Sequence, residues 1–362
     1  MTSNIFSKIL VIYPMEHSTK IALYKNITLI FLKNIKHKKE ELKNFNMVVD
    51  QEEYRAEAII RELYENDIDL NGIDLVIARG GLTKAVNSGV YLVNETMKED
   101  LRAGVQGMHA VNLGGLLADR VLKVLPNAKA CIADPAVVDE LDDVARITGH
   151  PMFQRKSIFH ALNQKYMARR YARSINTPYE SLSLIVAHMG GGGISVGAHK
   201  NGFVVDVNQA FDGDGPFAIT RTGTLPNGDL VRLCFSGKYT EQEIMKMITS
   251  EGGLYAYLGT DNIDELEKKI SGNDDHARFI AYAMAYQVAR EIGAMCTVFE
   301  EKIDAIILSG ELFHCTYFTE CLTKRVEKIA HIALFATVND MDALVSNAVM
   351  LLNGETEAME YL

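Results

Sequence analysis

The run HMGGGGISVGAH (188–199) sets four consecutive glycines, Gly190, Gly191, Gly192 and Gly193, between two apolar strand patterns, with His188 just ahead of them. A backbone without side chains can approach a ligand closely, and successive N–H groups in such a turn can cradle phosphate oxygens. Gly-rich hairpins also occur simply as tight turns, but four glycines exceed what a turn requires, which favours the phosphate reading. The segment DGDGPFAITRTGTLP (212–226) carries Asp212 and Arg221 among glycines and prolines, and reads either as a second wall of the same site or as a well-turned loop. In ARGG (78–81), Arg79 closes a buried strand, a costly place for an unpaired charge. It therefore has a structural carboxylate partner or serves an anionic substrate. His109 and Asp134 are weaker signals. A lone His beside an apolar helix is more often a core residue, and an Asp before Pro is more often a turn or cap.

These residues need elements to hold them, and the elements come in two sets. IDLVIARG (73–80) and IDAIILSG (303–310) are each a β-branched run ending at Gly, the pattern of a buried strand meeting a turn. Each follows a helical pattern. Residues 51–67 have Ala56, Ile59, Ile60 and Leu63 at helical spacing, and residues 277–299 are apolar on nearly every face, which predicts a central buried helix. Ahead of these, 8–31 and 182–207 both read strand, turn, strand, turn, strand, with Lys200-Asn201-Gly202 marking a hairpin. The expectation is a duplicated pair of α/β domains flanking a cleft, residues 1–180 and 181–339. Pro and polar residues at 176–181 mark the linker, and a helix at 340–354 ends at Gly354 and packs back on the first domain.

Composition narrows the partners. The 362 residues are 48% hydrophobic and 23% charged, with 37 basic against 47 acidic side chains and a net charge of -10. That balance argues against non-specific nucleic-acid binding, so an anionic ligand must be met by a local cluster of cationic side chains and N–H groups. Five scattered cysteines without a CxxC pair read as reduced, mostly buried thiols. No stretch has the makings of a signal peptide or a bilayer span, and a cytoplasmic protein without membrane contact is expected.

The segments 88–118, 133–172 and 188–226, and RKSIFHALNQK (155–165) above all, resemble butyrate kinases of the acetate and propionate kinase group. The resemblance covers most of the chain. It implies the duplicated actin-like ATPase fold shared with sugar kinases, Hsp70 and actin. The implied activity is reversible phosphoryl transfer between ATP and butyrate or a branched short-chain acid, giving acyl phosphate and ADP, with Mg²⁺ as cofactor and self-association into a homodimer or larger oligomer. It also assigns roles. Arg79 faces the carboxylate and phosphoryl group, His109 lies on the substrate side, and Asp134 is catalytic or orients the metal. His188 contacts the transition state, Arg221 supports the same region, and Gly190 to Gly193 cradle phosphate. Ser18, Thr19, Lys20, Asp212 and Gly310 join the nucleotide side, and Asp340 stands for a metal-facing Glu.

The chain departs from that pattern in four places. The family's first hairpin reads Asn-Pro-Gly-Ser-Thr-Ser-Thr-Lys, whereas this chain has Tyr13-Pro14-Met15-Glu16-His17-Ser18-Thr19-Lys20. Glu16 is unfavourable near phosphate unless it turns away. Glu311 replaces the second Gly of Thr-Gly-Gly, Asp264 lies near an expected Arg, and FATVNDMDAL (335–344) lacks Pro-Gly-Glu. A non-catalytic paralogue, acting as a binding or regulatory subunit, is the second reading that these changes admit.

Overall fold

The computed structural model describes residues 7–190, 192–337 and 339–362, which form two compact units. Unit 1 comprises the chain up to Val138 together with Asn339–Leu362. Its strands are β1 (Lys8–Pro14), β2 (Ser18–Lys25), β3 (Thr28–Lys36), β4 (Ile73–Arg79), β5 (Val90–Leu92) and β6 (Lys129–Ala133). With a closing strand at Ala358–Met359 they make one sheet, ordered closing strand–β5–β6–β4–β1–β2–β3. β1 runs antiparallel to β2 and parallel to β4.

Helix α1 (Glu52–Glu65) buries Ala56, Ile59 and Leu63, the face its periodicity predicts. Full burial of Ile59 or Leu63 is worth about 1.5–3 kcal/mol each. Helix α2 (Glu95–Ala103) opens on Asn94, whose side chain accepts from the Met97 amide, and stops at Gly104 in the left-handed region (φ 65). Helix α3 (Leu113–Val121) comes so close to β4 that a Cβ on Gly114 would lie 1.9 Å from the Arg79 carbonyl oxygen. That contact seats the strand end that carries Arg79. The C-terminal helix Asp340–Leu352 belongs to this unit.

Unit 2, Asp139–Val338, repeats the plan. Its strands β7 (Leu184–Gly190), β8 (Gly193–Lys200), β9 (Phe203–Val207), β10 (Ala305–Ser309) and β11 (His331–Phe335) are ordered β11–β10–β7–β8–β9. Here again an antiparallel three-strand meander continues into parallel strands, so β4 and β10 occupy equivalent places. Asn201 (φ 53) and Gly202 (φ 82) form the tight β8–β9 turn.

Two expectations are corrected. The units divide at Val138/Asp139, not at 180, because α4 (Ala161–Ser174) shares a core with β7 and β10 through Met167, Tyr171, Leu184, Val186 and Ile307. The linker proposed at 176–181 is thus a turn inside unit 2, with Tyr179 buried. Helix α5 (Asp275–Cys296) is not buried all round. Ala277, Ala281, Met284, Val288 and Ile292 face the core, whereas Phe279, Tyr282 and Tyr286 are exposed. Among the cysteines only Cys131 and Cys315 are buried, with thiols pushed up to about 12 by desolvation, and Cys234 is exposed. Among the described residues, no helix is long and apolar enough to cross a membrane.

Candidate active site

In unit 1 the sheet gathers Arg79, Tyr13 and Asp340. Arg79 ends β4, half-buried, with its guanidinium carbon 4.6 Å from the Tyr13 ring centroid. Among the described residues it has no carboxylate partner and no hydrogen bond, so the structural ion pair admitted by the sequence is not formed. The Tyr13 hydroxyl donates to Asp340 Oδ2 at the start of the C-terminal helix, and two residues on, the Tyr24 hydroxyl donates to Asp342 at 3.2 Å. The Tyr that replaces Asn in the first hairpin is therefore tied to the residue proposed to face metal.

Asp134 follows β6 with φ 37, buried, its Oδ1 accepting from Ser88 Oγ at 2.6 Å and the Gly89 amide at 2.9 Å. Its carboxylate thus orders the turn before β5. His109 accepts the Val111 amide at Nδ1 (3.3 Å), which places the proton of the neutral ring on Nε2. Asn112, fully buried, receives the Leu82 amide and donates to the Leu101 and Gly107 carbonyls. It binds the Gly80–Gly81 turn to the loop that presents His109, and nothing in its local pattern announced that.

The first hairpin is held from below. Thr19 is fully buried, its hydroxyl shared between His37 Nε2 at 2.9 Å and Arg55 at 3.3 Å, so the expected phosphate contact at Thr19 is corrected to a scaffold role. Ser18 and Lys20 are half-buried, whereas the Glu16 carboxylate is 82% exposed and lies 3.7 Å from His17.

In unit 2, His188 lies two residues before the end of β7 and is buried. Nδ1 meets Ser309 Oγ of β10 at 3.0 Å, and Nε2 meets the Asn163 side-chain nitrogen at 3.3 Å. Asn163 Oδ1 is buried without a partner, and exchanging the two ends of that amide lets it accept from His188 Nε2 instead. The His160 ring stands edge-on to His188 at 4.9 Å. Behind them runs a chain of buried polar groups. Tyr179 Oη meets His199 Nδ1 at 2.7 Å, His199 Nε2 meets Gln164 Oε1 at 2.9 Å, Gln164 Nε2 donates to Ser195 Oγ at 2.8 Å, and Ser195 Oγ meets His160 Nδ1 at 2.9 Å. An amide oxygen only accepts, so His199 carries its proton on Nε2 and takes the Tyr179 proton on Nδ1. Burial pushes this imidazole well below its ordinary value. The segment RKSIFHALNQK, recognised as specific but given no task, thus supplies the bedding of His188. Its Lys165 is buried against Glu140 at 2.6 Å.

Gly190 and Gly193 pair across β7 and β8, and Gly192 takes φ 84, while Gly191 lies outside the described residues. Arg221 packs so tightly on Gly193 that a Cβ there would lie 2.3 Å from Nη1, and it donates to the Ala210 carbonyl at 2.6 Å. Asp212 is exposed and bonded to Gln209. Gly310 (φ 118) admits no side chain, since a Cβ would meet the Met189 carbonyl oxygen at 2.1 Å. Glu311 and Asp264 are exposed.

His37 yields a pH prediction. Burial, then the neighbouring Arg55 charge, lowers its pKa from the ordinary 6.5 to about 4. The unfolded chain takes up this proton below 6.5 and the folded chain does not, so the contribution to stability is present above pH 6.5 and lost as pH falls towards 4. Thermal melts of the wild type should fall over that window, and those of His37→Gln should fall less. Equal slopes would remove His37 from the account.

Residues 147–338 match the model of the acetokinase family. Over 354 residues the chain is 46% identical to butyrate kinase 2 of Clostridium acetobutylicum, with 98% of this chain and 99% of the relative covered. It is 46% identical, with the same coverage, to a probable butyrate kinase of Bacteroides thetaiotaomicron. Among solved structures, acetate kinase from Porphyromonas gingivalis superposes with a TM-score of 0.75 at 16% identity, covering 96% of this chain and 100% of the other. A propionate kinase from Francisella tularensis gives 0.75 at 17%, covering 94% and 98%. These two likenesses bear on the fold, which is the duplicated actin-like one.

Proposed function

From the premise that this chain belongs to the butyrate kinases of the acetokinase family, and so is an ATP-dependent carboxylate kinase, we propose that it transfers phosphate reversibly between ATP and butyrate or a branched short-chain acid. The products are acyl phosphate and ADP. The observation that carries this reading is Arg79, a cation at the mouth of a buried strand with no anionic partner among the described residues.

The chemistry asks little of acids and bases. A carboxylate is already ionised at neutral pH and attacks without a general base. The obstacle is bringing an anion up to a polyanion, so the work is positioning and charge neutralisation. Arg79 offers a planar guanidinium, braced on Tyr13, to the carboxylate and the transferring group. His109, with its proton on Nε2, orients the substrate. His188, held by Ser309 at Nδ1 and Asn163 at Nε2, can donate to the developing charge only by giving up the Asn163 contact, so Nε2–H is the atom that turns to substrate. The amides around Gly190, Gly192 and Gly193 take nucleotide phosphate oxygens, with Arg221 backing the loop.

Mg²⁺ typically binds through one or two carboxylates plus substrate phosphates. Among the described residues no cluster of three or more His, Cys, Asp or Glu offers a complete cage. Asp340 commits Oδ2 to Tyr13 and keeps Oδ1, a donor set that suits such a phosphate-held ion. The ion would neutralise phosphate charge there.

The test is to trap the acyl phosphate with hydroxylamine after incubating the protein with butyrate, ATP and Mg²⁺. Acyl hydroxamate well above an Arg79→Ala control is expected, and a signal equal to that control overturns the proposal.

A further inference from the structure

We propose that Arg55, on α1 and outside every motif above, is a positioning residue whose uncompensated charge and hydrogen bonds shape the β1–β2 turn into a receptor for nucleotide phosphate oxygens. This rests on the kinase reading of the preceding subsection.

Arg55 is completely buried. Nη1 donates to the Met15 carbonyl at 2.7 Å, the Ser18 carbonyl at 3.2 Å and Thr19 Oγ1 at 3.3 Å. Nη2 donates to the Glu16 carbonyl at 2.8 Å and Gln51 Oε1 at 2.7 Å, and Nε donates to Gln51 Oε1 at 2.9 Å. Every acceptor is neutral. Among the described residues no carboxylate lies within ion-pair distance of Arg55, and the nearby Glu52 is engaged by Arg102 and Arg120. A buried guanidinium without a counter-ion is costly, so its charge calls for an explanation beyond packing.

The turn supplies one. In a planar trans peptide the carbonyl and the following N–H point in opposite directions. Drawing the Met15 and Glu16 carbonyls inward onto Arg55 turns the amides of Glu16 and His17 outward. Neither amide has a protein acceptor among the described residues, and both residues are exposed. Two successive outward amides make a concavity suited to anions, and a buried cation behind them strengthens it. The Glu16 carboxylate opposes an anion only weakly, being 82% exposed and screened by water. So the hairpin keeps its anion-facing backbone although Asn, Gly and Ser of the family pattern are gone.

Gln51 provides the decisive variant. Gln51→Glu keeps both acceptor positions and the size of the side chain, but pairs the Arg55 charge. With the full-length protein, Mg²⁺ and saturating butyrate, the KM for ATP should rise about five- to tenfold in Gln51→Glu, with the butyrate KM within about twofold of wild type and the melting temperature equal or higher. Arg55→Met should raise the ATP KM at least as far and lower the melting temperature. An unchanged ATP KM in Gln51→Glu overturns the proposal and leaves Arg55 a scaffold group. A Gln51→Glu protein less stable than wild type also counts against it, since a bare buried cation must gain from a carboxylate. Wild-type protein that forms no acyl hydroxamate would instead remove the kinase reading, so the two failures are distinguishable.

Discussion

Arg79→Ala is expected to lower kcat/KM for butyrate about a thousandfold, the scale set by other arginines that neutralise a transferring phosphoryl group. Stability should barely move, within about 0.5–1 kcal/mol, because Arg79 makes no ion pair or hydrogen bond among the described residues and rests only on the Tyr13 ring. That combination, a large kinetic loss with an intact fold, separates a substrate-facing cation from a structural one. Arg79→Lys should recover only part of the rate, since an ammonium keeps the charge but not the planar fork. Steady-state kinetics beside a thermal melt decide it. An Arg79→Ala enzyme within tenfold of wild type, or one that unfolds, would show that the residue has another task.

The second large effect concerns stability. Lys165 and Glu140 are 2% and 4% exposed and 2.6 Å apart. Lys165 also donates to the Gly202 carbonyl, and Glu140 accepts the Val204 amide. Breaking a buried ion pair of this kind costs about 3–5 kcal/mol, and Lys165→Met should approach that. Pairing it with Glu140→Leu should return part of that loss, though the Val204 amide is then left without its acceptor. Because α4 also carries Asn163 and Gln164, activity should fall with stability in the single variant. Urea unfolding of the three proteins checks the order. A single variant within 1 kcal/mol of wild type contradicts the burial argument.

Much of the fold was legible because its signals are local. β4 and β10 declared themselves as β-branched runs ending in Gly or at a Ser-Gly step, and the Asn201-Gly202 turn follows from the two residues that form it. Long-range choices were not local. The division at Val138/Asp139 depends on which sheet α4 joins, and no composition shift marks that. On α5 the aromatic residues counted as apolar and concealed a one-sided helix. For the site, residues with unusual local chemistry stood out, namely Arg79, His188 and the glycine run. Residues acting across the sheet did not. Arg55 looked like one more charge on an amphipathic helix, and Gln164, Ser195 and His199 are ordinary until a strand and a helix bring them together.

Gly310 draws a line between what mutation can and cannot reach in this lineage. Any β-carbon at that position would drive into the Met189 carbonyl, so the position is closed to every other residue, while the side chain of its neighbour Glu311 is exposed. Glu16 stands in the same open category. Of the departures from the family's motifs, Glu16, Asp264 and Glu311 lead outward, whereas Tyr13 is buried and held by Asp340. A count of altered letters overstates how far such a protein has travelled.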